Sequence, residues 1–129
     1  MSISNMLKKY FGNHAETAEN HWDERLNTHY YKVMKDKAFQ KLEDFFSSNS
    51  EFEMNSISRE RGEMSVVTKK GKKAFIVVTV IMVSPNRTAV DFSVTTESAI
   101  PIDFGYSSTL IYRLYEQLNE ELPLIEKSN

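Results

Sequence analysis

The hydrophobic period changes along the chain, and each change marks off a part of it. Near the start, Ile3, Met6, Leu7, Tyr10 and Phe11 recur at helical spacing, which predicts a short amphipathic helix over residues 3–11. Gly12-Asn13 follows as a helix stop signal. Residues 13–32 are polar and aromatic, with His14, His21, Trp22, His29, Tyr30 and Tyr31, and sustain no period. They read as an irregular or partly helical arm that reaches the rest of the protein through its rings. Over residues 36–47 the helical period returns. Ala38, Phe39, Leu42, Phe45 and Phe46 form one apolar stripe, with Asp36 as the expected N-cap. Ser47-Ser48-Asn49-Ser50 ends it, because these short polar side chains compete for backbone hydrogen bonds.

The middle of the chain then switches to a period of two. Strands are predicted over residues 52–59, 63–69, 74–83 and 88–97, with turns at Arg61-Gly62, Lys70-Gly71-Lys72 and Ser84-Pro85-Asn86-Arg87. The third strand is apolar on both alternations, which predicts a central place with cover on both faces. The fourth alternates Val90, Phe92 and Val94 inward against Asp91, Ser93 and Thr95 outward. Connections this short favour an antiparallel meander, since parallel pairs need long crossovers. A loop through Pro101, Asp103 and Gly105 leads to a last helix over residues 107–121. Ser107 or Ser108 is its expected cap, Leu110, Ile111, Leu114, Tyr115, Leu118 and Leu122 its buried face, and Pro123 its stop. The fold class this predicts is α+β: a four-stranded antiparallel meander with two helices on one face, preceded by a helical or irregular N-terminal arm. Residues 1–32 are the expected arm and residues 33–129 a single domain.

Composition agrees with one globular unit: 129 residues, 40% hydrophobic and 26% charged. Sixteen basic against 18 acidic residues leave a net charge of −2, so no general attraction to nucleic acid or anionic lipid is expected. The absence of cysteine excludes thiol catalysis, disulfides and cysteine-ligated zinc. The longest apolar stretch, residues 74–83, is far short of the roughly 20 residues that a membrane-spanning helix needs. The N-terminus lacks the apolar run of a secretory signal. A cytoplasmic protein without membrane or nucleic-acid partners is therefore expected.

Few residues suggest chemistry. His14, His21 and His29 lie 7 and 8 residues apart, close to one face if on a continuous helix, and with Glu24 they make up a possible metal set. No two of them stand a single turn apart, as in dense metal motifs, so neither a metal nor a cofactor is expected. Lys69-Lys70-Gly71-Lys72-Lys73 is the sharpest charge cluster. It reads either as a phosphate-gripping hairpin tip or as a solvated turn that discourages strand aggregation. Carboxylate pairs such as Glu43-Asp44 and Glu120-Glu121 fall on helix surfaces rather than in a cleft, and no nucleophile motif is present.

His29-Tyr30-Tyr31-Lys32, Gly71-Lys72-Lys73-Ala74-Phe75-Ile76-Val77, residues 89–97 and Asp103-Phe104-Gly105 together resemble a family of small bacterial cytosolic proteins of unknown function. The resembling stretch is residues 30–122. A broader uncharacterised domain family is similar too, in which a Ser-rich turn, Asp-x-Gly and a helix follow one another. Tyr106-Ser107-Ser108 stands here where that family has an Asn-Arg pair. The resemblance implies a fold and a compartment, and carries no activity.

The leading expectation is a non-enzymatic module that binds a protein partner or itself. The alternative is a small-molecule or lipid-binding domain, or an unrecognised hydrolase, with a pocket between sheet and helices. Trp22, Phe92, Tyr106 and Tyr112 would line that pocket, with Asp103 and Arg113 as polar anchors.

Overall fold

The computed structural model describes residues 14–97 and 105–127, and among them it has seven strands and two helices. The helix predicted over residues 3–11, and Asp103, lie outside the described residues. The strands are β1 (His14–Glu16), β2 (His29–Tyr31), β3 (Phe52–Ser58), β4 (Glu63–Thr68), β5 (Ala74–Ser84), β6 (Arg87–Thr96) and β7 (Leu124–Lys127). The helices are α1 (Lys35–Ser48) and α2 (Tyr106–Glu121). All pairings are antiparallel, in the order β3-β4-β5-β6-β2-β7, with β1 also on β6.

The predicted meander is β3 to β6, and the α+β class holds. The sheet, however, has seven strands rather than four. Two of the additions, β1 and β2, come from the stretch expected to be an irregular or helical arm, and β7 follows Pro123. Strands of three or four residues are too short to display a period of two. In addition, β1 and β2 are one strand cut in two. β1 pairs with β6 from His14↔Thr95 to Glu16↔Ser93, and the Thr17 N–H donates to the Phe92 carbonyl at 2.8 Å. The chain then leaves the sheet, makes a 3-10 turn at Glu24–Leu26, and rejoins the same edge at His29↔Val90. Asp91 closes the neck of this excursion, as one of its carboxylate oxygens accepts from Thr17 Oγ1 at 2.7 Å and Thr28 Oγ1 at 2.6 Å.

The core lies between the sheet and the two helices. Met64, Val66, Ile76, Val78, Val80, Val90, Phe92 and Val94 meet Ala38, Phe39, Leu42 and Phe46 of α1 and Leu110, Ile111, Leu114, Tyr115 and Leu118 of α2. β5 is central, as expected, but not covered on both faces. Its second alternation points away from the helices, with Phe75 42% exposed and Val77 and Thr79 half-buried. Neither helix uses its predicted cap. α1 starts after Met34 without a side-chain cap bond, and Asp36 sits in its first turn, where a carboxylate favours the helix dipole. α2 starts after Gly105, whose φ of 84° takes the left-handed region, while Ser107 and Ser108 are buried in its first turn. At the β4 end of the sheet, Gly62 (φ +69°) is pressed against β5, where a Cβ would lie 2.3 Å from the Val80 carbonyl oxygen.

Candidate functional site

Three segments meet at one end of the sheet. They are the α1–β3 turn (Asn49, Ser50, Glu51), the β4–β5 turn (Lys70, Gly71, Lys72) and the first turns of α2 (Tyr106, Thr109, Leu110, Arg113), and they border a cleft of about 570 Å³. Local hydrogen bonds shape each wall. Asn49 Oδ1 accepts from the Glu51 N–H at 3.0 Å, and the Glu51 carbonyl accepts from the Lys69 N–H at 2.7 Å, which ties the first turn to the second. Thr68 Oγ1 accepts from the Ala74 N–H and donates to the Lys72 carbonyl, both at 2.9 Å, and so closes the base of the lysine turn. From α2, Arg113 donates through both terminal nitrogens to the two Glu51 carboxylate oxygens, at 3.2 and 2.6 Å. Such a fork-on-fork pair fixes direction as well as charge.

Two of the residues singled out in the sequence, Tyr106 and Arg113, thus share one cleft. Lys70 and Lys72 join them, although the sequence offered no signal linking that turn to α2. Trp22, Phe92 and Tyr112 stand elsewhere. Phe92 is 1% exposed and meets Tyr115 edge-on at 4.9 Å, inside the core. The Tyr112 hydroxyl donates to buried Asp23, with the Arg25 guanidinium 4.0 Å over its ring, and this fastens the excursion to α2. Trp22 is half-buried beside His21 in the same excursion. Between the sheet and the two helices, around Leu42, Phe46, Phe92 and Leu114, the open volume is only about 10 Å³, room for one water at most.

The three histidines occupy three different settings. His14 Nδ1 lies 2.6 Å from Thr95 Oγ1 on exposed β1, and His21 Nδ1 accepts from the Asp23 N–H at 3.0 Å. His29 is buried, stacked on Tyr115 at 3.5 Å, with Nδ1 at 3.2 Å from both the Tyr31 hydroxyl and Asn119 Oδ1. Among the described residues no group of three His, Asp or Glu side chains is placed to hold a metal ion. Nor is any helix there long and apolar enough to cross a membrane.

Three phenols around this region titrate high. Burial pushes Tyr31 and Tyr115 above the usual tyrosine range. A hydrogen bond to Glu19, followed by burial, pushes Tyr30 up to about 12. Each is a raised folded value against roughly 10 in the unfolded chain. For all three the contribution is complete below about pH 10 and declines above it, because the unfolded chain ionises first; that of Tyr30 is lost as pH climbs through 12. Urea unfolding should give a lower stability at about pH 11 than at about pH 9, with phenolate absorbance rising together with the loss of circular dichroism. Equal stability at the two pH values would contradict this.

A second exposed feature lies at the opposite end of β5. The β4–β5 ladder ends at Glu63↔Thr79 and one further bond, from the Val80 N–H to the Gly62 carbonyl at 2.7 Å. Beyond it, residues 81–84 pair only with β6 among the described residues. By the alternation from Val80, the N–H and C=O of Met82 face this open edge. Ile81 (51% exposed), Met82 (46%) and Val83 (55%) make the edge apolar, and residues 81–86 carry no charge. On the β6 side of the same segment, Thr88, opposite Met82, donates Oγ1 to the Val33 carbonyl at 2.7 Å.

No family model, curated protein or solved structure matches the chain, so its functional reading rests on this geometry.

Proposed function

We propose that the protein is a non-enzymatic interaction module, and that it self-associates through the free edge of β5 at residues 81–84. The observation that carries this reading is the edge itself: unpaired among the described residues, apolar, and without a charge in residues 81–86, with the Lys35 side chain reaching only its Gly62 end. Exposed edges of this kind are normally guarded by a charge, a proline or a bulge that turns them away. Here a bulge between Met82 and Ser84 and the proline at the turn come only at the far end, leaving Ile81 and Met82 open. An antiparallel pair of such edges about a two-fold axis is self-complementary, since each residue then meets its counterpart from the other copy. Main-chain hydrogen bonds supply the attraction, and the apolar side chains add to it. With no charge in residues 81–86, the paired segments themselves bring no like charges together. The contact is small, so the association is weak and concentration-dependent.

Light scattering and sedimentation over a wide concentration range test it. A monomer–dimer equilibrium is expected at roughly 10–1,000 μM. The double variant Ile81→Lys/Val83→Lys should remain monomeric with unchanged circular dichroism, because both side chains are already in water. A wild-type chain that stays monomeric throughout, or a double variant that dimerises equally well, would overturn the proposal.

A further inference from the structure

We propose that the cleft between the α1–β3 turn, the β4–β5 turn and α2 is a binding site for a small phosphomonoester. It lies at the other end of β5 from the pairing edge and is independent of self-association.

Charge comes first. Among the described residues, Lys70, Lys72 and Arg113 border the cleft from two separate elements, against one carboxylate, Glu51. Three cations and one anion leave two positive charges, which a phosphomonoester dianion matches. Lys70 and Lys72 have no ion-pair partner among the described residues, whereas their neighbour Lys73 is paired with Glu97 at 3.9 Å. Lys72 is half-buried as well as unpaired. A cation drawn partly out of water without a counter-charge carries a desolvation cost that an arriving anion relieves. Arg113 is held by Glu51 with its fork already oriented, and about half of its side chain remains exposed (48%). A planar guanidinium suits bidentate phosphate recognition, and lysines complement it as mobile point charges.

Shape decides what carries the phosphate. The cleft volume of about 570 Å³ falls within the usual range for small-molecule sites. Its remaining walls mix apolar and hydrogen-bonding groups: the Tyr106 ring, Leu110, the Thr109 hydroxyl and the Asn49 amide. Such walls suit a compact body bearing hydroxyls. A long polyanion would need a basic stripe continuing beyond the cleft, and the chain as a whole is net acidic.

Binding is tested on the full chain with ribose 5-phosphate, ribose, inorganic phosphate and a short single-stranded oligonucleotide, by calorimetry and by backbone amide shifts in NMR. Ribose 5-phosphate should bind with a dissociation constant of about 1 mM or below. It should move the amides of residues 49–51, 70–72 and 106–113, with inorganic phosphate weaker and ribose silent. Lys70→Gln/Lys72→Gln should weaken binding at least tenfold without lowering the thermal stability of the free protein, since Lys70 is exposed and removing the Lys72 charge relieves its desolvation. Arg113→Lys, which keeps the charge and loses the fork, should weaken it less. Silence toward ribose 5-phosphate and inorganic phosphate, shifts confined to other residues, or unchanged binding by the double lysine variant would each overturn the proposal. Tighter binding of the oligonucleotide than of ribose 5-phosphate, with a steep salt dependence, would overturn it in favour of a nucleic-acid surface.

Discussion

Phe92→Ala should cost about 3–5 kcal/mol of folding stability, the range for removing a fully buried aromatic ring. Phe92 is 1% exposed, lies beneath Leu42 and Phe46 of α1 and Leu114 of α2, and meets Tyr115 edge-on. The helices pack on it from one side and its backbone is fixed in the centre of the sheet, so the space left behind cannot readily collapse. Urea unfolding monitored by circular dichroism measures the loss. Tyr106→Ala, in the half-open cleft, should cost only about 1 kcal/mol, and its effect should fall on ligand affinity instead. A Phe92→Ala protein about as stable as wild type would mean that this ring lines an adaptable pocket rather than the core.

Gly62→Ala should be nearly as damaging, at about 3 kcal/mol or more. Two costs combine there. The φ of +69° is unfavourable for any residue with a Cβ, and that Cβ would lie 2.3 Å from the Val80 carbonyl oxygen, itself part of the β5 backbone. Val80 also donates its N–H to the Gly62 carbonyl at 2.7 Å, so the two backbones cannot part without losing a buried hydrogen bond. Gly71→Ala is the control. Its φ of +74° carries the same conformational penalty, but nothing lies within 4 Å of the added Cβ, so a loss of only about 1 kcal/mol is expected. Similar losses at both positions, read from thermal unfolding, would show that the close approach at Gly62 relaxes freely.

The contrast between these positions also indicates what was legible in the sequence. Periodicity placed α1, the four meander strands and α2 to within one or two residues, because each is long enough to repeat its apolar spacing. β1, β2 and β7 were not legible. Each borrows its regularity from the strand beside it, and a ten-residue detour between β1 and β2 hides that they form one line. The aromatic residues misled for a related reason. Phe92, Tyr112 and Trp22 share a chemical character with Tyr106, and nothing local distinguishes a ring that fills the core from one that holds a loop or lines a cleft. Arg113 and the lysine turn were each noticeable separately. Their meeting depends on α2 returning across the sheet to the β4–β5 end, which is a property of the tertiary fold alone.

β2 also sets the order in which the protein can be completed. Its two neighbours in the sheet are β6 and β7, both of them much later in the chain. At synthesis rates of roughly 5–20 residues per second, Tyr30 and Tyr31 wait several seconds before either partner exists. Pairings between such distant segments also slow the folding search itself, toward milliseconds to seconds. The nascent chain can build the β3–β5 portion of the meander while its first strands have nowhere to dock. It becomes a finished sheet only when residues 124–127 have cleared the ribosome and closed the outer side of β2.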